Sequence, residues 1–190
     1  MSTFSENFLD AKQALVDHLV AHSVRTDGPF RLASGATSSW YIDARQTTFS
    51  GSGALVVGEA VLEHVPSDID GVGGMTMGAD PIAVATAMVA ASTGRDLVAF
   101  SIRKQPKAHG TGGRLVGPVS PGHRVVVLED TTTTGAALVE AIDVLVSEGV
   151  EVAAAIAVVD RSDGATPARM ADRGIPYHPL VTPVDLGVQD

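Results

Sequence analysis

Two adjacent acids, Glu129 and Asp130, are followed at once by Thr131-Thr132-Thr133-Thr134-Gly135 and then Ala136 and Ala137. Neighbouring carboxylates can accept hydrogen bonds from the vicinal hydroxyls of a sugar, and their hard oxygens suit Mg²⁺ and its waters. Threonine hydroxyls, together with the unpaired N–H groups of a turn that opens a helix, suit a phosphate. Gly135 removes the side chain that would keep an anion away from that turn. Acids for a ribose beside donors for a phosphate describe a sugar-phosphate site. The plainer alternative is a buried strand whose threonines cap the next helix.

A second group of chemically suggestive residues lies upstream. From 97 to 128 there is no Asp or Glu, yet the stretch holds Arg103, Lys104, Lys107, Arg114 and Arg124 with His109 and His123. Two of the three lysines in the chain fall here, the third being Lys12. With a net charge of −9 and a pI of about 5.0 the protein as a whole is unsuited to nonspecific nucleic-acid binding. A basic stretch inside an acidic chain is suited to a small polyanion. Pro106, Gly110, Gly112, Gly113 and Gly117 exclude regular structure and predict a mobile loop over about 103–117, either a solvated surface loop or a lid. Farther on, Arg161 follows Asp160. Its planar guanidinium is suited to a carboxylate or ring carbonyls of a base, although taken alone it reads as a strand-end arginine paired with Asp160 or Asp163.

These residues need a scaffold, and the hydrophobic pattern supplies one. Apolar runs predict strands over 69–75, 97–102, 125–129 and 152–159. Helices are expected near the N-terminus behind a Thr3/Glu6 capping box, over 52–64, from Asp80 to about residue 92, from Gly135 to about 148, and over 167–173. Asp80 reads as an N-cap with Pro81 at the first helical position. A hairpin is expected over 30–43 around Ser34-Gly35. Alternating strands and helices give an α/β fold with a mainly parallel sheet, as one domain over 1–190. In such sheets ligands bind beyond the carboxyl ends of the strands, where 73–80, 103–117, 129–135 and 160–161 all fall. The chain has no cysteine, which excludes disulfides, Cys-ligated zinc and a thiol nucleophile. It shows neither a signal-peptide pattern nor an apolar run long enough to span a bilayer, so a cytoplasmic protein with no membrane partner is expected. His18 and His22, four apart, are too few for a metal site, and Trp40 is expected to pack rather than to stack on a base.

The apolar strand, acid pair and Thr-Gly loop resemble the phosphoribosyl pyrophosphate (PRPP) signature of type I phosphoribosyltransferases. Arg103-Lys104-x-x-Lys107-x-His109-Gly110 resembles the flexible loop of the orotate phosphoribosyltransferases. The resemblance continues through Phe30-x-Leu32-x-Ser34-Gly35, Tyr41-Ile42-Asp43, Gly73 to Pro81 and Val158-Val159-Asp160-Arg161, covering about 30–164.

The resemblance implies a type I phosphoribosyltransferase fold: a mainly parallel central sheet flanked by helices, a small hood from N-terminal segments and a mobile lid. It implies transfer of the 5-phosphoribosyl group from PRPP to orotate, giving orotidine 5′-monophosphate and pyrophosphate, with Mg²⁺ carried mainly by PRPP and waters rather than by protein ligands. Glu129 and Asp130 would hold the ribose hydroxyls, and Thr131, Thr132, Thr133, Thr134, Gly135, Ala136 and Ala137 the 5′-phosphate. Arg103, Lys104, Lys107 and His109 would hold pyrophosphate, and Thr133 and Arg161 the orotate. Lys107 would be the most rate-critical side chain, with His109 as proton donor and Asp130 as a catalytic acid-pair member. The lid would close over the neighbouring subunit's site, which implies a homodimer. The chain departs from the pattern at Ala33 and at Met77-Gly78-Ala79-Asp80, where many relatives carry a lysine; Asp80 could act there through a metal-bound water. Two alternatives stay open: a type I enzyme for another base, and a non-catalytic PRPP sensor.

Overall fold

The computed structural model describes residues 10–31, 35, 37–106 and 113–188. The Thr3/Glu6 capping box, Ala33, Ser34, Lys107 and His109 lie outside the described residues. In chain order the elements are α1 (Asp10–His22), β1 (Val24–Arg25), β2 (Phe30–Arg31), β3 (Thr37–Ser38), β4 (Tyr41–Ile42), α2 (Arg45–Thr48), α3 (Gly51–Leu62), β5 (Gly71–Met75), α4 (Ala79–Ser92), β6 (Val98–Ile102), β7 (Leu115–Val116), β8 (Arg124–Thr132), α5 (Ala136–Ser147), β9 (Glu151–Asp160), α6 (Ala165–Asp172) and β10 (Tyr177–Val181).

The main sheet has six strands in the order β10-β9-β8-β5-β6-β7. All neighbours are parallel except β6 and β7, which are antiparallel. From β5 the chain first crosses to β6 on one side and then returns to β8 on the other. The switch point therefore lies between β5 and β8, and the crevice beyond their carboxyl ends is where such a sheet receives a ligand.

Side chains alternate across the strands, so the sheet has two buried faces. Val126 and Leu128 of β8, with Ile156 and Val158 of β9, join the core formed with Leu15 and Leu19 of α1, Val57 and Val61 of α3, and Ile82 of α4. Val125, Val127 and Ala155 face the opposite way, against Leu138, Ile142 and Leu145 of α5 and Met170 of α6. Burial of one such leucine stabilises the fold by roughly 1.5–3 kcal/mol. The N-terminus of α3 is capped by Ser50, whose Oγ accepts from the Gly53 N–H at 3.1 Å.

The strands β1 to β4 form two small antiparallel pairs apart from the main sheet, the hood. The hairpin expected over 30–43 is shorter than the pattern suggested: Phe30–Arg31 pairs with Thr37–Ser38, whereas Tyr41–Ile42 leaves it to pair with Val24–Arg25. Three further expectations are corrected. The helix after β5 starts at Ala79, so Asp80 sits in its first turn and is not the N-cap, which is Gly78 with no side-chain cap. The glycine-rich loop contains a short strand, because Leu115–Val116 finds the free edge of β6. The strand β10 was not expected; its Tyr177-His178-Pro179 start hides the apolar run that pairs with β9.

Candidate active site

The acid pair sits near the carboxyl end of β8. Glu129 is only 8% exposed, and its Oε2 has no hydrogen-bond partner among the described residues. Burial, reinforced by the neighbouring Asp130 carboxylate, pushes its pKa up to about 8, while the charge of Lys104 acts in the opposite direction. Lys104 lies two residues beyond β6. Asp130 Oδ1 accepts the Thr131 N–H at 2.7 Å. The loop after β5 closes on it from the other side of the switch point: a Cβ at Gly78 would stand 2.8 Å from Asp130 Oδ1. Thus two strand ends far apart in sequence form one wall. Asp80 accepts a 2.6 Å hydrogen bond from Thr76 Oγ1 through one oxygen, and its other oxygen is buried with no partner among the described residues.

The threonine run divides in two. Thr131 and Thr132 continue β8, paired with Val159 and Asp160 of β9. The Thr132 hydroxyl is buried, donating to Asp160 Oδ1 at 3.0 Å and lying 3.0 Å from the Tyr177 hydroxyl. Burial raises the pKa of that tyrosine. The turn proper is therefore Thr133-Thr134-Gly135, not the whole threonine run. Thr133, Thr134, Ala136 and Ala137 are exposed, and the Ala136 N–H lies 3.4 Å from Thr134 Oγ1. Gly135 has φ +72°, and a Cβ there would stand 3.2 Å from the Thr166 side chain, so any other residue would be strained and tightly packed there. Beyond it the first turn of α5 presents N–H groups that have no intrahelical acceptor, with the positive end of the helix dipole behind them.

Arg161 follows β9, and its N–H donates to the Thr132 carbonyl at 2.9 Å, which ties it to the start of the turn. Among the described residues its guanidinium pairs with no acid. Asp160 instead receives Thr132 and, at 2.8 Å, the Ser162 N–H. The plainer alternative, a strand-end arginine paired with Asp160 or Asp163, is therefore not what these contacts show. The Arg161 guanidinium lies over the ring of Trp40, 4.4 Å from its centroid. Trp40 is 3% exposed.

The basic stretch is less uniform than its sequence suggests. Arg114 pairs with Glu140 and donates to the Arg103 carbonyl at 2.6 Å. Arg124 lies at the opposite end of the sheet, bound to Asp68 at 2.5 Å and Glu151 at 2.8 Å. Arg103 is half-buried, with its N–H on the Arg114 carbonyl at 2.9 Å, and Lys104 is exposed. A further cation comes from the start of α2, which follows the hood: Arg45, bound to Asp43 at 2.7 Å, also lies in the field of Asp130. Sequence reasoning missed it because nothing local to Arg45 points across the fold. His18 is held by Thr47 and Ser52 at 3.2 and 3.1 Å, and among the described residues no group of three or more His, Cys, Asp or Glu could hold a metal ion.

A mainly parallel sheet whose switch-point crevice is walled by an acid pair, a Thr-Gly turn and a hood is the fold of the type I phosphoribosyltransferases. No protein-family model matches the chain. Orotate phosphoribosyltransferase of Streptomyces avermitilis is 40% identical over 177 residues, covering 93% of this chain and 94% of that one. The crystal structure of Mycobacterium tuberculosis H37Rv orotate phosphoribosyltransferase with Fe(III) dicitrate superposes with a TM-score of 0.83 at 34% identity, over 94% of this chain and 99% of that one. The same enzyme in complex with PRPP gives 0.78 at 31%, with equal coverage. The chain belongs to the orotate phosphoribosyltransferase family.

Proposed function

We propose that the crevice transfers the 5-phosphoribosyl group of PRPP to orotate, releasing pyrophosphate and forming orotidine 5′-monophosphate. The observation that carries this reading is the bond from the Arg161 N–H to the Thr132 carbonyl, which ties the backbone of Arg161, whose guanidinium pairs with no acid among the described residues, to the start of the Thr-Gly turn. A phosphate held at Thr133 to Ala137 and an anionic base met by Arg161 are then neighbours on one scaffold.

In this reading the turn cradles the 5′-phosphate, and Glu129 and Asp130 accept the ribose hydroxyls. A buried carboxyl with an unpartnered oxygen is poised for such donors. Arg161 and Thr133 hold the base. Breaking the bond between C1 of the ribose and the pyrophosphate oxygen leaves positive charge on the sugar and negative charge on the leaving group. Arg103, Lys104, Lys107 and His109 stabilise the latter, Lys107 most of all, with His109 giving it a proton. The ring nitrogen of orotate then bonds to C1 as its own N–H proton passes to water. The hard oxygens of the acid pair and of Asp80 fit Mg²⁺ through its waters, and the ion would neutralise pyrophosphate charge. Closure of the loop over the site of a second copy, and hence a homodimer, belongs to the same proposal. Among the described residues no helix is long and apolar enough to cross a membrane; the cysteine-free composition suits the reducing cytoplasm, which we propose as the compartment.

The test is pyrophosphate release from PRPP and Mg²⁺ with orotate, uracil, hypoxanthine, guanine and adenine supplied one at a time. Release with orotate alone is expected. Release with a purine or uracil instead would keep the PRPP site and discard the roles of Thr133 and Arg161. PRPP binding without release for any base would favour a sensor.

A further inference from the structure

We propose that Trp40 is a positioning residue for Arg161: its ring face fixes the plane of the guanidinium, and so sets the affinity for the anionic base while leaving that for PRPP unchanged. The inference rests on the reading of Arg161 as the base-binding cation.

A long arginine side chain at the rim of a crevice loses rotamer freedom when it meets a ligand, which weakens binding unless the group is already held. It can be held in two ways. An acid partner would occupy the N–H edges, the same donors that a carboxylate or ring carbonyl needs. An aromatic ring contacts only the face of the guanidinium and leaves those edges open. This protein uses the second way. The Arg161 guanidinium lies 4.4 Å from the Trp40 centroid, and among the described residues no acid or carbonyl takes its donors.

The ring itself is firmly placed. Trp40 belongs to the apolar core that contains Leu15, Leu19 and Ile42. Its backbone is clipped on both sides by one hydroxyl: Ser38 Oγ donates to the Trp40 carbonyl at 2.8 Å, and the Trp40 N–H donates back to Ser38 Oγ at 3.3 Å. The other end of the contact is tied by the Arg161 N–H on Thr132. The hood and the sheet thus grip one side chain between them. Since the ring is buried and its face is taken by the arginine, Trp40 does not stack on the base.

The experiment compares Trp40→Leu, Trp40→Phe, Arg161→Ala and the double variant Trp40→Leu/Arg161→Ala by initial-rate kinetics in both substrates. Trp40→Leu is expected to raise the KM for orotate about tenfold, about 1.4 kcal/mol, with the KM for PRPP and kcat within about twofold of the parent. Trp40→Phe, which keeps a ring face, is expected to recover most of that loss. In the Arg161→Ala background the leucine substitution should add nothing, because the group it acts through is gone. Equal changes in both KM values, no change in either, or additive effects in the double variant would each overturn the proposal. If the leucine variant does not fold, Trp40→Met replaces it as the ring-free member of the series. Arg161→Ala with an unaltered KM for orotate would sink the reading of Arg161 itself; an impaired Arg161→Ala beside an unaffected Trp40→Leu sinks only the role of the tryptophan.

Discussion

At the start of β8, Arg124 is bound to Asp68 and Glu151, and its N–H donates to Asp70 Oδ2 at 2.7 Å. Toward the far end of the same strand, Glu129 keeps a buried oxygen with no partner among the described residues, and Arg161, tied to the strand's last residue Thr132, has an aromatic ring but, among the described residues, no counter-charge. One end of the sheet satisfies its charges internally; the other leaves a buried carboxyl oxygen and a guanidinium open. Satisfied pairs at a solvated rim add little to stability and take up no ligand. Unpaired polar and charged groups in a crevice destabilise the empty protein and are stabilised when a ligand of opposite charge or matching hydrogen bonds arrives. In the proposed function, the difference between the two ends points to the binding end more directly than the count of basic residues does.

The contrast can be broken or sharpened by substitution. The largest effect is expected from Lys107→Ala in the loop, which should lower kcat by about 10²–10³-fold, as loss of one charge-stabilising donor does; circular dichroism and Tm should stay at parental values, and an unchanged kcat would remove the lid assignment. Next comes Arg161→Ala. Losing a charged hydrogen-bonding partner of the base should raise the orotate KM by roughly 10- to 100-fold, from the 1.5–3 kcal/mol typical of such contacts.

Glu129→Gln acts on stability and carries a pH signature. The folded-state pKa of Glu129 is raised, to about 8 from an ordinary 4.5, so the native protein holds a proton that the unfolded chain releases. The contribution of this group is therefore fully present below about pH 4.5 and is lost as pH rises towards 8. The glutamine variant escapes that loss. Its Tm should match the parent near pH 4 and exceed it by several degrees at pH 8, at roughly 2–4 °C for each kcal/mol in a chain of this size. A constant difference across the range would show that Glu129 is not held protonated. The smallest effect is expected at the closed end of the sheet. Arg124→Ala should cost no more than about 1 kcal/mol in urea unfolding, because the pairs are solvent-exposed, and should leave both KM values unchanged. A loss of activity there would erase the distinction between the two ends.

Much of the fold was legible in sequence because its signals are local. The apolar run before Glu129 and the helical spacing after Gly135 locate β8 and α5, and alternation of such units implies a parallel sheet. Strand ends were less legible. Thr131 and Thr132 look like turn residues, yet the ladder with Val159 and Asp160 draws them into β8. Leu115–Val116 becomes a strand because an edge of β6 is available, not because of its own propensity. Asp80 has the type and setting of an N-cap, but the helix starts one residue before it and its carboxylate turns to Thr76.

By itself the sequence determined which chemical groups this protein has and their order along the chain: an acid pair, a Thr-Gly turn, a basic loop and an arginine after a strand. Those features depend on neighbours in the chain, and secondary-structure periodicity is enough to put them at strand ends. Only the tertiary structure decided which charges are neutralised and which stay open. Arg114 met Glu140, Arg124 met Asp68 and Glu151, and Arg161 met the ring of Trp40. Such pairings join residues far apart in sequence, and their free energy depends on distance and burial, which exist only once the sheet has assembled.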